Sequence, residues 1–173
     1  MTPEFSRPVR LDTLGEGDRS IEIEAGIEER GALAARFALL SIEALSAEAV
    51  LRRDADVITA EGRMKARVEQ ACVATGAPVP AAIDEPFVLR FVPEGVEGEE
   101  IELDAEDFDT IDYSGGAIDL GEAVAETLAL ALDPFPRSPD ADAVLKAAGV
   151  LSEDEAVTGP FAALKGLKDK LSK

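Results

Sequence analysis

The feature of the sequence that most constrains its fold is an alternation of apolar and polar side chains over residues 58–72. Apolar or small residues occupy one set of alternate positions: Ile58, Ala60, Gly62, Met64, Ala66, Val68 and Cys72. Charged or hydroxylated residues occupy the other set: Thr59, Glu61, Arg63, Lys65, Arg67 and Glu69. A period of two is typical of a strand that buries one face and exposes the other to water. The chain is therefore expected to build a sheet around one long, half-exposed strand.

Two flanking segments extend this sheet. Residues 87–91 alternate in the same way after a turn-forming stretch at 75–78, and their strand is predicted to end at Pro93. Residues 45–53 are ambiguous, because their Ala, Leu and Glu favour a helix while their apolar positions alternate as in a strand. We interpret them as a strand. The sequence thus predicts a three-stranded antiparallel meander over residues 45–92. The pattern does not determine whether the sheet closes into a barrel.

The remaining segments mix short strands with helices, which places the chain in the α+β class. Strands are predicted at residues 5–11 and 19–25, and helices at 27–39, 120–132 and 141–148. In the first helix, Leu33, Phe37 and Leu40 are predicted to form one apolar stripe. The second helix has the clearest start, because Asp119 and Glu122 form a capping-box pattern immediately before its apolar face.

Acidic residues dominate the chain, with 36 Asp and Glu against 17 Lys and Arg and a formal net charge of -19. Fourteen of the acids lie in residues 91–136, a stretch without Lys or Arg. Residues 94–117 are too acidic and glycine-rich to fill a core and are predicted to form a long surface excursion. Its acidic face is expected to present Glu99, Glu100, Asp104 and Asp107. Because such a surface repels phosphate backbones and anionic lipids, we expect neither strong binding to free nucleic acid nor a membrane partner.

The sequence offers little chemistry for an enzyme, and we assign no catalytic residue. It contains no His, which removes the commonest zinc ligand and general base, and its one cysteine, Cys72, is expected to be a small buried hydrophobe. The acidic stretch does not have the spacing of a calcium loop, and no phosphate-binding glycine motif is present. The basic stripe of Arg63, Lys65 and Arg67 is interpreted as cross-strand ion pairing in preference to phosphate binding. No metal and no cofactor are therefore expected.

The last residues of the chain, 159–173, have the pattern of a short amphipathic helix with Pro160 in its first turn. Its candidate partner-binding residues are Phe161, Leu164, Leu167, Lys168 and Leu171. We divide the chain into a single α+β domain at 1–136, an acidic and proline-rich linker with a short helix at 137–158, and this C-terminal helix. The pattern fits equally well a groove-binding peptide and a helix that docks on its own domain.

Three stretches, in this order, resemble the YceD-like family of large ribosomal RNA subunit accumulation proteins. They are residues 62–75 (GRMKARVEQACVAT), 118–136 (IDLGEAVAETLALALDPFP) and 159–168 (GPFAALKGLK). The first resembles the family's strand leading into a C-x-x-C element, the second its I-D-L helix, and the third its terminal P-F-x-x-L-x-x-L-K. The positions that carry the family motif here are Gln70, Cys72, Asp119, Leu120, Glu126, Leu130 and Pro134.

The sequence departs from the family pattern at two places. Thr75 replaces the second cysteine of C-x-x-C, and Arg137 and Ser138 stand where some members have His and Cys. A metal cluster cannot form from these residues. The resemblance implies a non-enzymatic role in the synthesis, processing or stability of 23S ribosomal RNA during large-subunit assembly.

An acidic protein acts on RNA most readily by holding a basic protein, because complementary charge speeds encounter. The expected partner is therefore a large ribosomal subunit precursor or a basic ribosomal protein. The alternative is a general acidic adaptor or chaperone for a basic or nucleic-acid-binding partner outside the ribosome. No apolar run is long enough to span a membrane and no signal-peptide pattern is present, so we expect a cytoplasmic protein.

Overall fold

The structure, a computed structural model, describes residues 3–15, 17–95 and 109–150. These residues form seven strands and three α-helices in an α+β arrangement. In chain order the elements are β1 (Pro8–Arg10), β2 (Arg19–Glu24), α1 (Ile27–Arg36), β3 (Ser41–Asp54), β4 (Val57–Ala71), β5 (Pro78–Pro93), β6 (Asp109–Tyr113), β7 (Ala117–Asp119), α2 (Leu120–Ala131) and α3 (Ala141–Ala147). The predicted fold class is confirmed.

The long strand predicted from the alternation is β4, and it lies at the centre of a five-stranded sheet with the order β2-β3-β4-β5-β6. Strands β3, β4 and β5 pair antiparallel, as the predicted meander requires. The ambiguous residues 45–53 belong to β3, so the strand interpretation is correct and the helical alternative is wrong. The described strands form an open sheet and a separate two-stranded ribbon of β1 and β7, without a closed barrel.

The core lies between the inward face of this sheet and the two longer helices. The inward side chains of β4 are buried: Ile58, Ala60, Met64, Ala66 and Val68. Helix α2 covers them with Leu120, Val124 and Leu128, which are fully buried, while α1 contributes Leu33. Burial of these side chains provides the main driving force for packing the helices on the sheet.

The N-terminal segment is tied to the first turn of α2 by one carboxylate. Asp119 is the N-cap, and its Oδ1 accepts hydrogen bonds from the backbone N–H groups of Gly121 (3.0 Å) and Glu122 (3.2 Å). The same oxygen accepts the N–H of Arg7 at 2.8 Å, and Oδ2 accepts the hydroxyl of Ser6. In a capping box, the side chain of Glu122 would accept the backbone N–H of Asp119. Its carboxylate instead pairs with Arg36 of α1 at 2.8 Å.

Strand β5 begins earlier than predicted. The stretch at 75–78 was expected to be a turn with the strand resuming at Phe87, but the strand starts at Pro78. Three of its four prolines, Pro78, Pro80 and Pro86, lie at even separations along the strand, so their nitrogen atoms point to the same side of it. That side is the edge away from β4, because the β4–β5 ladder runs through all three positions without a register shift and proline cannot donate to a ladder.

The predicted surface excursion at 94–117 is wrong in its second half. Residues 109–113 form β6, which pairs parallel with the end of β5, and residues 117–119 form β7. The physical reason is the alternation of Ile111 and Tyr113, which pack against the core, with polar residues between them. The four acidic-face residues Glu99, Glu100, Asp104 and Asp107 lie outside the described residues.

Candidate docking groove

Two of the stretches that carry the family resemblance meet in space. The end of β4 and the residues just after it contact the segment that follows α2 through hydrogen bonds. Gln70 donates its side-chain amide to the carbonyl of Asp133 at 2.8 Å, and the N–H of Val73 donates to the carbonyl of Pro136 at 2.9 Å. The N–H of Ser138 donates to the sulfur of Cys72 at 3.3 Å. Residues that are more than sixty positions apart in the sequence therefore form one corner of the molecule.

The sulfur of Cys72 lies at the centre of this corner. Its side chain is buried as predicted, with 3% exposed. The hydroxyl and the N–H of Ser138, together with the hydroxyl of Thr75, lower the pKa of the Cys72 thiol to about 6, although burial opposes the shift. The hydroxyls of Thr75 and Ser138 lie 3.4 Å apart. The residues at the family's cysteine positions thus form a hydrogen-bonded cluster around a single sulfur.

The lowered pKa predicts a pH-dependent stability. An unperturbed thiol titrates near pH 8.5, so between about pH 6 and pH 8.5 the unfolded chain binds more protons than the folded chain. The free energy of unfolding should therefore rise as the pH increases through this window and lose that contribution as the pH falls towards 6. Urea unfolding at closely spaced pH values measures it, and Cys72→Ala should flatten the slope. An equal slope in the variant would show that the thiol does not ionise in this range.

An apolar groove of about 470 Å³ opens beside this corner. We call it the α2 groove and define it by six lining residues: Phe37, Leu39, Gln70, Leu130, Leu132 and Pro134. Leu130 of α2 is 78% exposed, because it lies outside the stripe of the helix that faces the core. Phe135, between two prolines that line the groove, is 73% exposed, and Val73 and Leu40, each within two positions of a lining residue, are more than half exposed. Exposed apolar side chains that cluster in this way are typical of a protein-binding surface.

The charge around the groove is acidic. Asp133 belongs to its wall, and Glu126 lies exposed one helical turn before Leu130. Neither residue forms part of the described ion pairs. The groove therefore fits an apolar ligand that also carries positive charge.

The structure separates the predicted family-motif residues into two groups. Gln70, Leu130 and Pro134 line the α2 groove, and Cys72 and Glu126 lie close to it along the chain. Asp119 and Leu120 lie at the other end of α2, where they cap and bury the start of the helix. The candidate partner-binding residues Phe161, Leu164, Leu167, Lys168 and Leu171 lie outside the described residues.

Two groove residues, Phe37 and Leu39, were not predicted to form a binding site. Phe37 was assigned with Leu40 to a helical stripe, but α1 ends at Arg36 and the chain turns through Ala38, whose φ of 55° lies in the left-handed region. This turn directs Phe37 and Leu39 towards the end of α2. Alanine gives no sequence signal for such a turn, since glycine or asparagine is its usual occupant.

The basic stripe on the outer face of β4 is neutralised by neighbouring strands. Arg63 pairs with Asp84 of β5 at 2.6 Å, and Arg67 pairs with Glu43 of β3 at 3.3 Å. Lys65 lies opposite Asp84 in the β4–β5 register. The interpretation of this stripe as cross-strand ion pairing is confirmed for the two arginines, and their charge is not available as an uncompensated phosphate-binding patch.

The model of one protein family, described as "Large ribosomal RNA subunit accumulation protein YceD", matches residues 60–168. No curated protein and no solved structure matches the chain. The matched range contains most of β4, all of β5 and α2, and every family-motif residue at the groove. Within the described residues, no helix has the length and apolar character needed to cross a lipid bilayer.

Proposed function

The chain belongs to the YceD family of large ribosomal RNA subunit accumulation proteins. From this premise we propose that it is a non-enzymatic factor for 23S ribosomal RNA. In this proposal it promotes the accumulation, processing or stability of that RNA in the cytoplasm during assembly of the large subunit. It acts through contacts with other proteins, and its partner is a basic ribosomal protein or a precursor particle that displays one.

The observation that carries the proposal is the exposed α2 groove. Most of its lining residues come from the two family stretches that the fold brings together, and Leu130 and Pro134 are motif residues that core packing does not require. Exposed apolar residues on a rigid scaffold support binding more readily than they support stability. A motif that placed its residues only in the core would instead support a purely structural role.

The charge of the chain supports a protein partner in preference to bare RNA. A net charge of -19 opposes the approach of a phosphate backbone, because affinity for nucleic acid depends on neutralising its phosphates. Arg63 and Arg67 on the outer sheet face are engaged with carboxylates. A basic ribosomal protein has the opposite charge, so electrostatic attraction would speed its encounter with this surface.

The test is recovery of large-subunit material with a groove variant. In the tagged full chain, Leu130→Asp combined with Phe135→Asp places two charges on the apolar surface and should reduce recovery of precursor large subunits roughly tenfold or more. Sedimentation followed by pull-down at low and high salt measures this effect. The groove variant should melt within a few degrees of the wild type, because both side chains are largely exposed.

A control variant separates the groove from general surface charge. Ile27 is 80% exposed at the start of α1, and Ile27→Asp adds the same kind of charge without touching the groove. The control should recover ribosomal material as the wild type does. Undiminished recovery by the groove variant would contradict the proposal. Recovery of a non-ribosomal basic partner alone would support the general acidic adaptor in its place.

A further inference from the structure

We propose that the α2 groove binds residues 159–173 of the same chain, and that a partner has to displace this segment to reach the groove. This inference concerns how access to the α2 groove is regulated. It rests on the proposed function only for the identity of the partner that binds once the segment has left the groove. It starts from an apolar surface that the described residues leave open: Leu130, Phe135 and their neighbours have no apolar cover within the described part of the chain.

The segment is attached within reach of the groove. After the groove residues Pro134 and Pro136, the chain stays on the domain, because Ser138 bonds to Cys72 and Ala141 is 1% exposed. Helix α3 is about 10 Å long at seven residues, and the described chain ends at Val150. Residues 151–158 span up to about 27 Å when extended, which exceeds the roughly 10 Å by which α3 carries the chain away from Ala141. The linker therefore permits the segment to return to the groove.

The chemistry of the segment matches the groove. Its apolar residues Phe161, Leu164, Leu167 and Leu171 follow helical spacing and would supply one apolar face. It also carries four lysines and only one aspartate, in a chain with an excess of acids. The groove offers a mainly apolar lining with Asp133 in its wall, and Glu126 lies one helical turn before Leu130 on α2. An amphipathic helix in an apolar groove is a common mode of peptide recognition, and complementary charge fixes its orientation.

Covalent attachment favours the chain's own segment over a second copy or a separate protein. A short linker gives an effective concentration in the millimolar range, far above that of most free partners in a cell. A helix of about fifteen residues is marginal alone in water, so its apolar face gains from any surface within reach. The segment would therefore occupy the groove until a partner with a larger or more basic surface competes for it.

The full chain contains no Trp, which makes a direct test possible. Phe161→Trp places a single indole in the segment, and its emission reports whether the side chain is buried. In dilute full-length protein we expect the emission maximum to lie at a shorter wavelength than in the same chain unfolded by denaturant. Adding Leu130→Asp to this variant should move the emission to that of an exposed indole, while adding Ile27→Asp should leave it unchanged.

Each outcome decides the inference. Emission of an exposed indole in the folded chain, or a blue shift that Leu130→Asp does not change, would overturn it. A blue shift that disappears on dilution would show that the occupant is a second copy, which also overturns it. The failure of this inference is distinct from that of the proposed function. If the indole is exposed but the groove variant still loses ribosomal material, the groove binds a partner and the segment does not occupy it.

Discussion

Replacing Gly62 by alanine is expected to destabilise the protein by about 3 kcal/mol or more. Gly62 lies in the middle of β4 between Ala49 of β3 and Phe87 of β5. A Cβ atom at this position would lie 2.1 Å from the carbonyl oxygen of Glu48 and 2.7 Å from Cζ of Phe87. Because the closest atom belongs to the backbone of β3, a side-chain rotation cannot relieve the contact. The central strands would have to move apart.

Thermal melting measures this effect. For a chain of this length, 3 kcal/mol corresponds to a fall in Tm of roughly 6 to 12 °C. Gly31→Ala is the control, since Gly31 lies on the exposed side of α1 with no atom within 4 Å of an added Cβ. It should raise the stability by about 0.5 to 1 kcal/mol through helix propensity. If Gly62→Ala melted with the wild type, the close approach of β3 to β4 would be disproved.

Replacing Asp119 by alanine is expected to cost about 2 to 4 kcal/mol. The carboxylate accepts the first N–H groups of α2 and also holds the N-terminal segment through Ser6 and Arg7. Alanine would leave these donors without a partner and weaken the attachment of Phe5, which is fully buried in the core. The helix start and the N-terminal segment should therefore loosen together.

Hydrogen exchange distinguishes this result from a local loss of the cap. In Asp119→Ala, exchange should accelerate both in the first turn of α2 and in residues 5–10. Asp119→Asn is the matched control, because asparagine keeps an oxygen acceptor at the N-cap and should lose about 1 kcal/mol or less. Faster exchange confined to α2, with residues 5–10 unchanged, would show that the carboxylate does not anchor the N-terminal segment.

The parts of the fold that were predicted correctly have local signals. The period of two identified β3, β4 and the end of β5, and the cap at Asp119 identified the start of α2. The errors arose where a distant partner decides the structure. Strand β6 forms because β5 offers a parallel edge to Ile111 and Tyr113, and the short alternation of these two residues does not identify that partner strand. Acidic composition therefore outweighed a short alternation in the prediction.

The candidate groove was only partly predictable for the same reason. The family resemblance selected Gln70, Leu130 and Pro134, but nothing in the sequence showed that they share a surface. Their convergence depends on the hydrogen bond from Gln70 to Asp133, which joins the end of β4 to the end of α2. The contribution of Phe37 and Leu39 depends on the left-handed turn at Ala38. Such contacts become visible only when the tertiary structure is known.

Three of the four prolines of β5 also determine how this edge of the sheet can be recognised. Between Pro78 and Val88 the outer side of β5 has no paired strand among the described residues, yet Pro78, Pro80 and Pro86 remove donors from it. A ligand that joins a sheet by strand addition needs those donors in register. The outer edge of β5 is therefore a poor template for strand addition by an extended chain or by another copy of the protein. Recognition along this edge therefore has to rely on side chains in place of a backbone ladder.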